Sequence, residues 1–333
     1  MRTILGSLLS VSTALLTVSA WAAELPSPAL LVLNKSDATL VIVDPATGRI
    51  TGKVATGEGP HEVVVNAEGT VAYATNYGSG PAPGKSISII ELAGPSETKR
   101  LDVAPMLRPH GIALAEGKVW FTAEANKVVA RYDPAAQHID YLLGTGQNTT
   151  HMIQFSADTN RFFTANISSD SISIFERPAG SMNWNQTVVP VGKGPEAFDV
   201  SPDGSRLWTA HSRDGGVSVI DLSTKKVVET LPLGTKRSNR LKFTPDGKTV
   251  LISDLDAGDL FFVDVASRKV TKKLPLGQAP EGILIEPGGA RAYVAVAGDN
   301  YVAVIDLASM TKTKQIETGG GPDGMAWIGG ALR

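Results

Sequence analysis

The stretch AFDVSPDGSRLWTAHSRDGGVSVIDLSTKKVVETLPLG, residues 197–234, holds one complete structural phrase. Four short runs within it, at 197–201, 206–210, 216–221 and 226–233, carry alternating apolar and polar residues. Pro-Asp-Gly, Asp-Gly-Gly and a polar Ser-Thr-Lys segment separate them. Period-two alternation rich in Val, Ile and Thr, interrupted by Gly and Asp turn residues, predicts β-strands joined by tight hairpins. The phrase recurs. Its turn glycine returns as Gly69, Gly117, Gly204, Gly247 and Gly289, with Thr159 at the equivalent place in the fourth copy, in steps of 42 to 48 residues. Strand-built repeats of about 40 to 50 residues are the size of a propeller blade, and four antiparallel strands make one blade.

Copies of the second strand can be counted along the chain: LLVLN (30–34), VAYATN (71–76), VWFTAE (119–124), RFFTAN (161–166), RLWTAH (206–211), TVLISD (249–254) and RAYVAV (291–296). There are seven. The chain enters on a second strand and finishes on a first strand, GMAWIG (324–329), so the last strand is expected to complete the N-terminal blade. The expected fold is all-β, a seven-bladed β-propeller with four antiparallel strands per blade, closed by the C-terminal strand. Closure of this kind leaves no terminal blade open.

The 333 residues include no cysteine, which excludes disulfides, thiolate nucleophiles, Cys-ligated zinc, iron–sulfur clusters and covalently attached haem. With 31 Lys and Arg against 33 Asp and Glu, the formal charge is −2. That balance argues against a whole-surface binder of nucleic acid and leaves nucleic acid only a local patch. Residues 1–22 carry Arg2, an apolar run over 4–18 and the small-x-small pattern Ala20-Trp21-Ala22. They read as a signal peptide, too short to span a bilayer, cleaved near Ala22. Residues 23–333 are then an exported propeller, expected in a bacterial periplasm as a monomer with no membrane span.

At AYATNYGSG (72–80) the sequence resembles the YVTN β-propeller repeat family and, within it, the periplasmic YncE-like proteins. Tyr73, Thr75 and Asn76 match the signature, and VSVIDLSTKKVVETLPLG (217–234) and VAVIDLASMTKTKQIETG (302–319) match its remaining two strands. Residues 110–134 look more like repeats of the streptogramin-lyase propellers. The resemblance implies a propeller that binds a partner or small ligand at one mouth of its ring. Repeat families of this kind specify a fold well and a reaction poorly.

Function is expected where the copies differ. Counting back seven or eight residues from each punctuating glycine reaches the start of each innermost strand, at His61, His110, His151, Glu196, Asn239, Glu281 and, in the last copy, Asp323. Across the hairpin stand Asn76, Glu124, Asn166, His211 and Asp254, read as cross-strand partners of His61, His110, His151, Glu196 and Asn239 in turn. These residues predict a funnel with three imidazoles on one arc and carboxylates on the other.

Three readings follow from that funnel. It could capture a small molecule or a protein. His61, His110 and His151 could instead hold a divalent transition metal, with Glu124 or Glu196 moving a proton in a lyase or hydrolase. The polar ring could also merely hydrate the channel. Arg240, in the basic cluster Lys236, Arg237, Arg240 and Lys242, and Arg108 on another mouth loop suit an anion. Trp184, in the long loop of the fourth copy, is the aromatic expected to touch a ligand, whereas Trp120, Trp208 and Trp327 fall in strands and read as core. His138 reads as a surface residue. No phosphate-binding glycine loop, His-Glu-x-x-His helix or nucleophile elbow occurs.

Overall fold

A computed structural model describes residues 27–181 and 183–329; the leader expected at 1–22 lies outside them. Seven four-stranded antiparallel sheets form a ring. Blade 1 is built from both ends of the chain, with Pro322–Ile328 innermost, followed outward by Ala29–Asn34, Thr39–Val43 and Ile50–Ala55. Its closing register sets Ala29 opposite Ile328 and Leu31 opposite Ala326. Blades 2 to 7 follow in chain order. Their inner strands are Pro60–Val65, Pro109–Ala115, Thr150–Phe155, Pro195–Val200, Ser238–Phe243 and Pro280–Ile285. Neighbouring inner strands touch all the way round the axis. No helix among the described residues is long and apolar enough to cross a membrane.

The strand sequences explain the ring. Ala29–Asn34 is buried along its whole length and reads as a continuous apolar run. Successive side chains of a strand point to opposite faces. Leu31 and Leu33 therefore pack on Ala72, Ala74 and Ile90 of blade 2, while Leu30 and Val32 pack on Tyr293, Val302 and Val304 of blade 7. Each blade is a two-sided wedge, and the core lies between blades. The fourth strands form the outer edge and are polar there, as in SETKRLD (Ser96–Asp102) and TKTKQIE (Thr311–Glu317). Charged residues on such edges discourage pairing with other chains.

A β-bulge marks the start of every inner strand. In blade 2, Pro60 pairs with Asn76 and Val63 with Ala74, so His61 and Glu62 together oppose Thr75. The same one-residue excess appears in the other six hairpins. A bulge re-aims side chains at a barrel or propeller rim, and here it turns Glu62 inward beside His61 and Arg240 inward beside Asn239.

Closure depends on Trp327, which is buried in the last strand and lies 5.8 Å from the Tyr293 ring of blade 7, centroid to centroid. Trp327→Ala empties the seam between blade 1 and blade 7. It should lower the unfolding free energy by about 3–5 kcal/mol in a urea titration; a loss no larger than that of a surface alanine substitution would show that the seam is not a principal source of stability.

Candidate functional site

The bulges set His61, His110, His151, Glu196, Asn239, Glu281 and Asp323 each as the second residue of its inner strand, in a ring at one mouth. Two threonines space the histidine arc. Thr75 Oγ1 accepts from the Glu62 amide at 3.2 Å and donates to the His110 carbonyl at 2.7 Å. Thr122 Oγ1 accepts from the Gly111 amide at 2.9 Å and donates to the His151 carbonyl at 2.6 Å. Each hydroxyl satisfies a bulge amide in its own blade and grips the mouth residue of the next. Gly111 is required there, because a Cβ would collide with the His151 carbonyl. Ser253 repeats the device between Arg240 and Glu281.

So held, the imidazoles converge. The His61 and His110 ring centroids are 5.0 Å apart, and those of His110 and His151 are 3.7 Å apart. Tyr77 covers His61 at 4.7 Å and donates its hydroxyl to Glu124 Oε2 at 2.6 Å. His151 Nδ1 contacts Glu124 Oε1 directly. Burial pushes His61 down to about 4 and, with His151 and His61 beside it, pushes His110 well below the ordinary histidine value. Burial opposes ionisation of Glu124, but the imidazole of His151 and the two hydrogen bonds outweigh it and hold the carboxyl below its usual range. Three ring nitrogens among the described residues are buried with no partner: His110 Nδ1 and His151 Nε2 in this arc, and His211 Nε2 outside it.

Among the described residues, the group whose potential metal-ligand atoms all lie within 4.8 Å of one another is His110, Glu124 and His151. It differs from the expected three-histidine set. His61, whose Nδ1 donates to the Gly59 carbonyl at 2.7 Å, is not in the group. Glu124 also has a different neighbour: it begins a short 3-10 turn, Glu124–Asn126, that carries its carboxylate past His110 to His151 of the next blade.

The opposite arc is a salt-bridged plug. Arg240 of blade 6 crosses to Glu62 of blade 2, reaches Asp323 at 3.5 Å and donates to Asn239 Oδ1 at 3.1 Å. Lys35 contacts Glu281 and lies 3.3 Å from Asp323. Burial opposes the charges of Arg240, Lys35 and Asp323. Opposite charges outweigh it, Glu62 and then Asp323 raising Arg240, Asp323 and then Glu281 raising Lys35, and Lys35 and then Arg240 lowering Asp323. Glu281 is different: burial and then the Asp323 charge push it up to about 7, against the pull of Lys35.

Several expected site residues are placed elsewhere by the same bulges. Extrapolating the hairpin register sets His61 opposite Asn76, but the extra residue makes Pro60 the partner. Asn76 and Asn166 are buried and bind Ser86 with Ser88, and Ser171 with Ser173. His211 turns to Asp214 at 2.9 Å rather than to Glu196, which accepts from Asn239 instead at 2.8 Å. Asp254 accepts the backbone amides of Lys236 and Arg237. These four brace the mouth hairpins from within.

The basic cluster is not one patch. Arg240 is buried in the plug, Lys236 and Arg237 are exposed, and Lys242 lies 3.8 Å from Asp199. Trp184 packs on Phe162 and Trp120, beside the strand ends remote from the mouth, and so extends the core. Trp120, Trp208 and Trp327 are core residues and His138 is exposed, as expected.

Lys35, Glu62 and Tyr77 were missed; Glu62 and Tyr77 directly follow the singled-out His61 and Asn76, and Lys35 directly follows the second strand LLVLN. A cleft of about 470 Å³ opens beside His151, at the end of the histidine arc, lined by Tyr77, Glu124, His151, Glu196, Arg213 and Arg237 among others.

Two substitutions probe this arrangement. Thr122→Val leaves the Gly111 amide and the His151 carbonyl without their shared partner and should cost about 1–3 kcal/mol, while Thr122→Ser keeps the bond; equal stability of the two variants would contradict the tether. The raised Glu281 makes a contribution that is complete below its ordinary value of 4.5 and lost as pH rises through about 7. Glu281→Gln cannot ionise, so its stability relative to wild type should increase as pH rises across that window, read from urea titrations at each pH. A pH-independent difference would refute the assignment.

Comparison with known proteins agrees with this ring. The model of the YncE-like β-propeller family matches residues 119–291. No curated protein sequence matches the chain significantly. The periplasmic gluconolactonase PpgL of Pseudomonas aeruginosa is similar in structure, with a TM-score of 0.74 and 16% identity over 90% of this chain and 99% of that one. Hydrazine synthase of Kuenenia stuttgartiensis gives a TM-score of 0.69 and 18% identity over 83% and 96%. Apo AztD from Citrobacter koseri gives 0.65 and 12% over 92% and 99%. At these identities the likeness shows the fold alone. The family match spans more than half of the chain, and together with the seven-bladed ring it shows that the chain belongs to the YncE-like β-propeller family.

Proposed function

We propose that this is an exported binding propeller that captures a small anionic ligand at the histidine-bearing mouth. The reading rests on one observation: Arg213 and Arg237 converge with Tyr77, His151 and Glu196 on a single cleft of about 470 Å³. That volume is within the usual range for a small-molecule site. Both arginines are exposed, and among the described residues neither has a carboxylate within ion-pair distance. A guanidinium free of internal carboxylates is available to a carboxylate or phosphate in bidentate geometry. Across the mouth from the histidines, Arg240 is already paired with Glu62 and Asp323, which leaves the two rim arginines to an incoming anion. The leader at 1–22 supplies the export half of the reading.

The test is calorimetry and thermal unfolding with inorganic phosphate, sugar phosphates, and mono- and dicarboxylates as probes. At least one should bind saturably and raise the unfolding temperature, since binding to the folded state alone stabilises it. The double variant Arg213→Ala, Arg237→Ala should weaken that binding at least about tenfold, the scale of losing a charge-assisted hydrogen bond, with its own unfolding temperature unchanged. Absence of binding across the panel, or unaltered binding by the variant, would overturn the reading.

A further inference from the structure

We infer that beside this cleft lies a transition-metal site in which His110, Glu124 and His151 are the ligands and the cleft supplies the open coordination positions. The inference deepens the capture reading and rests on it for the location of the ligand. Three observations carry it. The potential ligand atoms of the three residues already lie within 4.8 Å of one another. Donors sharing one ion at about 2.1 Å stand about 3.4 Å apart in a tetrahedron, so side-chain adjustments of about an ångström complete the set. The donors come from three separate elements, the inner strands of blades 3 and 4 and the turn after the second strand of blade 3.

The second observation is that two of the three buried ring nitrogens without partners, His110 Nδ1 and His151 Nε2, belong to this one group, on residues only 3% and 6% exposed. A buried polar atom left unpaired costs about 1–3 kcal/mol, and a metal ion relieves that cost. The third is the support around the carboxylate. Tyr77 holds Glu124 Oε2 at 2.6 Å, as outer partners commonly hold metal-binding carboxylates.

Donor chemistry selects the class of ion. Two imidazoles and one carboxylate suit Zn²⁺, Co²⁺, Ni²⁺ or Fe²⁺ rather than Ca²⁺ or Mg²⁺, which prefer oxygen alone. A three-ligand set beside an open cleft leaves positions for water or an anion, and Arg213 and Arg237 at the rim suit an anion that binds the ion and the guanidinium groups together.

The experiment strips the full exported protein with chelator, reloads it with Zn²⁺ or Co²⁺ and measures metal retained after gel filtration, with the visible d–d bands of Co²⁺ reporting coordination. Wild type should retain one ion per chain. His110→Ala and His151→Ala should each bind at least about a hundredfold more weakly. Tyr77→Phe should bind about tenfold to a hundredfold more weakly with unchanged stoichiometry, and it carries the comparison if the histidine variants do not fold. Glu281→Gln, on the opposite arc, should bind as wild type does.

A wild type that retains no metal, or histidine and Tyr77 variants that bind like wild type, would overturn the site and leave the Glu124–His151 contact a simple internal pair. Phosphate or carboxylate binding by a protein that takes up no metal would sink this inference alone. Metal uptake with no anion binding would sink the capture reading alone.

Discussion

The histidine arc of this mouth depends on two buried hydroxyls. Strands of neighbouring blades are not paired in one sheet, so nothing in the ladder of one blade fixes the height of the next. Thr75 and Thr122 supply that link by bonding at once to a bulge amide in their own blade and to a carbonyl in the following one. The carbonyls they grip belong to His110 and His151. The bonds that satisfy the bulges therefore also hold the backbone of the two residues whose imidazoles stand 3.7 Å apart.

The two halves of the mouth solve burial differently. On the Arg240 side, charges are kept because they pair: Arg240 with Glu62 and Asp323, and Lys35 with Glu281 and Asp323. Removing one member of such a network leaves a buried charge exposed to its own desolvation cost, about 3–5 kcal/mol in comparable cases. On the histidine side, burial favours neutral rings at His61 and His110, and polar capacity is left unused. One arc is closed by its own charges, while the other retains donor atoms and opens into the cleft.

Much of the fold was legible because it is periodic. Alternation, turn glycines and the recurrence of the second strand identify seven blades, and GMAWIG identifies the closing strand. The seven mouth positions were legible for the same reason, since counting back from a turn survives any distortion that every copy shares. The pairings across the hairpins were not. Each bulge adds one residue, which moves Asn76 from His61 to Pro60 and turns Glu62 and Arg240 inward beside His61 and Asn239. Nothing in a single copy announces that extra residue, because its cause, the need to meet the next blade, lies outside the copy.

The sequence by itself determined the architecture, the ring of polar residues and the clustering of histidines on one arc, because these depend on local periodicity and on the order of copies. Only the tertiary structure decided which of those residues touch. Glu124 reaches His151 instead of His110, His211 turns away to Asp214, and Arg240 spans the channel to Glu62. The Glu124–His151 and Arg240–Glu62 contacts join different blades, and their distances are set by inter-blade packing and bulge geometry, for which no spacing along one chain is a measure.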